Sequence, residues 1–198
     1  MNQSFCIIGN GGTSPSLYTL TYKNQQLSLA LLSGFPAGHT IYRVALSPSG
    51  IMAAAATKNG NIKVFRFQGE TSAFMAEFQY RTAQPPHVTG LAFVDDEVLV
   101  VSGTDAKIRV LSVKTKDRLK LLPLPGIAFG LTVVNKDLFA CICRQGGSDH
   151  LMVWSLQQES IKYTGPAFKI NAEYLLAPLT IDDESGYMAH SDRYGNVY

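Results

Sequence analysis

The side chains that could do chemistry in this chain fall into four groups. His39 and His87 lie 48 residues apart and could act as acid and base. Asp95-Asp96-Glu97 and Asp182-Asp183-Glu184 offer carboxylate oxygens to a hard cation. Cys141 and Cys143 alternate around Ile142, so on a strand both thiols face one side, as a metal site would require. The stretch Gly9-Asn10-Gly11-Gly12-Thr13-Ser14-Pro15-Ser16 is an unusual glycine-rich loop.

None of these groups is a complete site. There are only three cysteines, Cys6 being the third, and no second cysteine pair or nearby histidine pair to finish a zinc shell. The pair therefore reads as small buried residues. His150 and His190 have no partner that the sequence can place beside them. The chain has no Gly-x-Ser-x-Gly elbow, no phosphate loop and no His-Glu-x-x-His. No catalytic residue, no metal and no cofactor is expected.

The elements that would position these side chains repeat. A strand-like run reads Val44-Ala45-Leu46-Ser47, then Leu91-Ala92-Phe93-Val94, Leu131-Thr132-Val133-Val134 and Leu179-Thr180-Ile181-Asp182, at 40 to 48 residue intervals. A later run follows in each copy, at Ile62-Lys63-Val64-Phe65, Ile108-Arg109-Val110-Leu111, Leu151-Met152-Val153-Trp154 and Val197-Tyr198. Both carboxylate runs follow the first strand of a copy, which makes them turns. The two histidines are equivalent positions of two copies, which favours a repeated structural role. A repeat of this length in strand-like sequence is one supersecondary unit whose faces are buried only by stacking on neighbours.

Each full copy carries four strand-length runs separated by turn residues. In the first these are His39 to Ser47, Ile51 to Thr57, Ile62 to Phe67 and Ala73 to Tyr80, with Lys58-Asn59-Gly60-Asn61 as a tight hairpin. Ala53-Ala54-Ala55-Ala56 has helical propensity but sits in too short a segment to hold a helix, so a strand is expected. The remaining hairpins fall at Gly103 to Lys107 and at Gln145 to His150. Phe5-Cys6-Ile7-Ile8 parallels Ala140-Cys141-Ile142-Cys143, so the N-terminus is a partial copy too.

These residues resemble the WD-repeat β-propeller family. The best copy runs His39…Val44-Ala45-Leu46-Ser47-Pro48-Ser49-Gly50…Asn59-Gly60-Asn61-Ile62-Lys63-Val64-Phe65, and the second has His87, Asp105 and Ile108-Arg109-Val110. The resemblance implies an all-β propeller of four-stranded antiparallel blades. About three blades are full (39–80, 87–124 and 127–170) and two incomplete (5–32 and 174–198), all in one domain over 1–198. It also implies a hydrogen-bonded brace linking His, Ser or Thr, Asp and Trp, for which the candidates here are His39, His87, Asp105 and Trp154. The set is incomplete: Asn59 stands at the Asp position of the first copy, and Phe65 and Leu111 at Trp positions. Glycine-rich residues 9–16 are similar to the N-terminal loop of exchange-factor propellers that act on the small GTPase of vesicle budding.

Composition narrows the function. Hydrophobic residues are 46% and charged residues 16%, which excludes disorder. A net charge of +2 is too small for phosphate-backbone binding, and the densest basic run, Lys114 to Lys120, reads as a solvated turn. No nucleic acid or membrane partner is expected. Without a signal-peptide pattern the expected compartment is cytoplasmic. The leading expectation is a non-catalytic scaffold that binds a protein partner on one rim, through Arg43, Lys58, Asn59, Asp105, Lys107, Arg144 and Arg193. The other classes are a GTPase exchange factor, a propeller enzyme with an axial small-ligand pocket, and a structural subunit of a larger coat. Five copies, two of them partial, predict self-association or completion by further propeller sequence.

Overall fold

Short apolar runs bounded by Gly, Pro, Asn and Ser favour strands, and β-branched and aromatic residues fill them. The computed structural model describes residues 4–8, 16–23, 26–34, 40–68, 71–79, 86–167, 179–181 and 187–190, and among these it is all β. His39, Arg193, residues 9–15 of the glycine-rich loop, Asp182 to Glu184 and Val197-Tyr198 lie outside the described residues.

Strands β1 (Ser4–Ile8), β2 (Ser16–Lys23) and β3 (Gln26–Gly34) form a three-stranded sheet in that order. Strands β4 (Ile41–Leu46), β5 (Met52–Thr57), β6 (Ile62–Gln68) and β7 (Thr71–Phe78) form the first full blade. The second holds β8 (Val88–Phe93), β9 (Val98–Gly103), β10 (Lys107–Ser112) and β11 (Arg118–Pro123). The third holds β12 (Ile127–Val133), β13 (Leu138–Gln145), β14 (Ser148–Ser155) and β15 (Ser160–Thr164), and β16 (Leu179–Ile181) pairs with β17 (Met188–His190). Every pairing is antiparallel between sequence neighbours. Strands β4, β8, β12 and β16 lie side by side in succession, so the first strand of each blade is its inner one.

The core sits between blades. Val64, Ala54, Ala56 and Phe78 of the first full blade pack with Leu91, Leu99, Val101 and Leu111 of the second. Val100, Ile108, Val110 and Leu122 on the other face of the second blade meet Phe139, Cys141, Met152 and Trp154 of the third. Phe129, Ala140 and Ile142 join Leu179 of the next sheet. Both faces of each central strand are therefore covered, and Ala53 to Ala56 are fully buried in β5 as a strand.

The turns depart from expectation in two places. Gly60 alone is left-handed in the Asn59-Gly60 turn (φ 81°), where a two-residue primed hairpin needs positive φ at both positions. The Gly60 amide donates to Thr57 O at 2.9 Å, giving an ordinary turn closed by a left-handed glycine. In the third blade Gly146 (φ 58°) and Gly147 (φ 83°) both take that region, so the hairpin is tighter and the strands run to Gln145 and resume at Ser148.

The inner strands of the three four-stranded blades each carry a bulge, between Ile41 and Arg43, Val88 and Gly90, and Phe129 and Leu131. A bulge bends the strand where the blades crowd together. A Cβ on Gly90 would lie 2.5 Å from Ser102 Oγ and 2.6 Å from Leu131 Cβ of the next blade. Gly90→Ala should therefore cost about 1–3 kcal/mol by overpacking, read as a lower urea midpoint with an unchanged m-value. An unchanged midpoint would show that the inner strands are not in contact there.

Candidate functional site

In an antiparallel blade the hairpin between second and third strands shares an edge with the start of the first strand. That edge carries Lys58 and Asn59, the Thr104–Ala106 turn, Gly146-Gly147, and Pro86 and His87 ahead of β8. Lys58, Asn59 and Lys107 are exposed on it, and the hairpin backbones beneath them are tied down. Lys58 N donates to Thr40 O at 2.7 Å and Thr104 N to His87 O at 3.0 Å. These three side chains can reach a partner without loop ordering.

The other expected contact residues are committed within the fold. Arg43 is half-buried on β4, and its Nε donates to Thr89 O of the next inner strand at 2.9 Å while Nη1 donates to Tyr42 O. Burial lowers its pKa from the usual arginine value. It ties two inner strands together. Asp105 accepts both guanidinium nitrogens of Arg109, a residue only 6% exposed. Arg144 forks onto the buried Asp149 (Nε to Oδ1 2.8 Å, Nη2 to Oδ2 3.1 Å), which raises its pKa, and its guanidinium lies 5.0 Å over the Phe129 ring.

Among the described residues no side-chain hydrogen bond joins His87 to Asp105, and none reaches Trp154 Nε1. His87 is exposed, with its ring 6.2 Å from that of Tyr42, and its backbone amide donates to Thr104 Oγ1 at 3.1 Å. The permanently charged fork of Arg109, on the facing strand, takes the carboxylate that the histidine would need. A buried hydroxyl pair, Thr89 Oγ1 and Ser102 Oγ at 3.0 Å, links the inner two strands of that blade instead. Trp154 is buried and stacks nearly parallel on Phe139, directly opposite in register, with ring centroids 6.4 Å apart. Its Nε1 has no hydrogen-bond partner among the described residues.

Among the described residues no other group gathers into a reaction centre. Cys141 and Cys143 share one buried cluster, and burial pushes both thiols up, which makes them poor nucleophiles. His150 Nδ1 lies 3.3 Å from Gly165 O. Among the described residues no three His, Cys, Asp or Glu side chains converge to hold a metal, and no helix is long and apolar enough to cross a membrane. Asp95 Oδ1 accepts the amides of Glu97 and Val98 at 2.8 Å each, so this carboxylate run is a turn.

Residues 30–66 and 78–112 match the family model of the WD domain, G-beta repeat. These are WD repeats. The crystal structure of the C-terminal WD40 domain of Sif2 superimposes with a TM-score of 0.65 at 11% identity, covering 98% of this chain. The chain spans 53% of that one, so the likeness is one of fold. No curated protein sequence matches. Trp154 lies in the next blade, beyond the two matched repeats, and among the described residues it is held by packing.

Sequence reasoning missed Arg109 and the cleft beside it. Its signal was a charged residue between Ile108 and Val110 on a strand otherwise read as core. The packing role of Trp154 can be separated from a brace by two substitutions. Trp154→Ala should cost about 3–5 kcal/mol, whereas Trp154→Phe, which keeps a ring against Phe139 and gives up an indole N–H that bonds nothing, should cost well under that. Urea unfolding followed by circular dichroism measures both. Equal losses would mean that the N–H has a partner.

Proposed function

We propose that this chain is a non-catalytic protein-interaction module whose partner binds on the rim carrying the second-to-third-strand hairpins. WD40 propeller domains generally mediate protein interactions. The observation that carries the reading is the rim itself: Lys58, Asn59 and Lys107 stand exposed on one edge, on hairpins fixed by backbone hydrogen bonds. A partner meeting such a surface finds its contacts already placed, which lowers the entropy cost of association. The two lysines favour a partner surface with acidic residues, and their contribution falls with salt.

The test is affinity capture from extract of the source cells, comparing the wild type with Lys58→Glu/Lys107→Glu by quantitative mass spectrometry. The expected result is one or a few proteins held by the wild type and depleted about tenfold with the variant. An identical set on both proteins would overturn the rim as the contact surface.

A further inference from the structure

We infer that the cleft between the outer strands of the first and second full blades binds an extended segment of a protein, one with acidic side chains beside a bulky apolar one. This surface runs between the blades and does not include Lys58, Asn59 or Lys107; it rests on the interaction-module reading only in taking a protein as its occupant.

Two adjoining cavities form the cleft, of about 310 Å³ and about 560 Å³, and Lys116 lines both. The smaller is walled by Glu77 and Gln79 at the end of the first blade and by Arg109, Leu111 and Arg118 of the second. The larger continues toward the opposite edge of the blades, with Ile51, Met75, Phe74 and Val113 as its apolar lining.

Arg66, Arg109, Lys114, Lys116 and Arg118 face this cleft, against Glu77, Asp96 and Glu97. Asp105 meets the charge of Arg109 and Glu97 that of Lys114, so the cations left over are at Lys116 and Arg118. The three carboxylates are already engaged. Asp96 accepts the Ser49 hydroxyl at 2.7 Å and its amide at 3.3 Å, Glu77 accepts Asn61 Nδ2 at 3.1 Å, and Glu97 lies 3.6 Å from Lys114. Lys116 and Arg118 are exposed and have no carboxylate within ion-pair distance among the described residues. Arg109 is held in the wall by its fork on Asp105, which meets its charge, so the exposed donors of the cleft are Lys116 and Arg118.

The apolar part points the same way. Phe74 is 57% exposed and Ile51 42% exposed, both on the open side of the larger cavity. Large apolar side chains exposed together beside uncompensated cations mark a contact surface more than either does alone. Their closeness excludes a nucleic acid as the best fit: three carboxylates lie along the cleft and would repel a continuous phosphate backbone, while spaced acidic side chains can avoid them. A strand places alternate side chains on one face, so an extended peptide can set an acidic group on Lys116 and Arg118 and an apolar one on Phe74. The basic turn Lys114 to Lys120 thus supplies one wall of a site.

The test is to pan a phage-displayed random-peptide library on the full chain and measure the selected peptides by fluorescence anisotropy. Lys116→Glu/Arg118→Glu reverses the two exposed cations; Lys136→Glu/Lys162→Glu makes the same change in net charge elsewhere and serves as control. Selected peptides should be enriched in Asp or Glu near Phe, Leu or Trp. They should bind the cleft variant about tenfold or more weakly and lose affinity with added salt, with the control variant binding as wild type. Phe74→Ala should also weaken them. Selection of no peptide, of peptides without acidic residues, or of peptides that bind the cleft variant as the wild type would overturn the cleft as a site. The rim reading is judged separately, by capture with Lys58→Glu/Lys107→Glu.

Discussion

A four-stranded sheet with apolar side chains on both faces cannot stand alone in water. Each face of the second blade exposes Leu, Val, Ile or Phe until a neighbour covers it, and the neighbour is in the same position. Face-to-face burial between blades is therefore the constraint from which the rest follows. It fixes the inner strands at close approach, which is why β8 has a glycine where Leu131 of the next blade comes within contact. It also fixes the small residues of β5, since four consecutive alanines leave no side chain long enough to hold two neighbours apart.

Polar groups then do local work around that packing. Forked ion pairs hold the hairpin in two blades: Asp105 of the turn with Arg109 of the third strand, and Arg144 of the second strand with Asp149 of the third. Between blades the links are few and specific. Arg43 reaches Thr89 O, Ser49 holds Asp96, and Lys120 spans to Leu156 O and Glu159. In the third blade the backbone amide of Gln157 and the Ser155 hydroxyl both donate to Asp137, and the amide is the larger cause of its lowered pKa. These bonds orient loops at the blade edges, and the same edges form the surfaces proposed to meet partners.

Much of this was legible in the sequence because it depends on short-range pattern. The 40 to 48 residue repeat and the hairpin glycines pointed to four-stranded antiparallel sheets with strands paired in sequence order. Trp154 is buried, as are Phe65 and Leu111 at the equivalent positions that the repeat aligns with it. The hydrogen bonds were less legible. Whether Asp105 meets His87 or Arg109 is a competition between a ring across a loop and a guanidinium on the adjoining strand, and residue types alone do not rank them. The Asn59-Gly60 turn gave the right hairpin with the wrong backbone geometry, because a dipeptide does not set the length of the loop around it. The cleft was illegible for a plainer reason: Glu77 and Arg118 lie 41 residues apart and share a wall only once two blades have packed.

A row of blades stabilised chiefly between neighbours should open as a unit, because removing one blade uncovers a face of the next. That rigidity is what would let hairpins and clefts at its edges serve as preset contact surfaces. Native-state hydrogen exchange tests it most directly, by following amides of β5, β9 and β13 as denaturant is added. The account predicts that the slowest amides of the three blades converge on one opening free energy. Three separate values, each blade opening on its own, would contradict it.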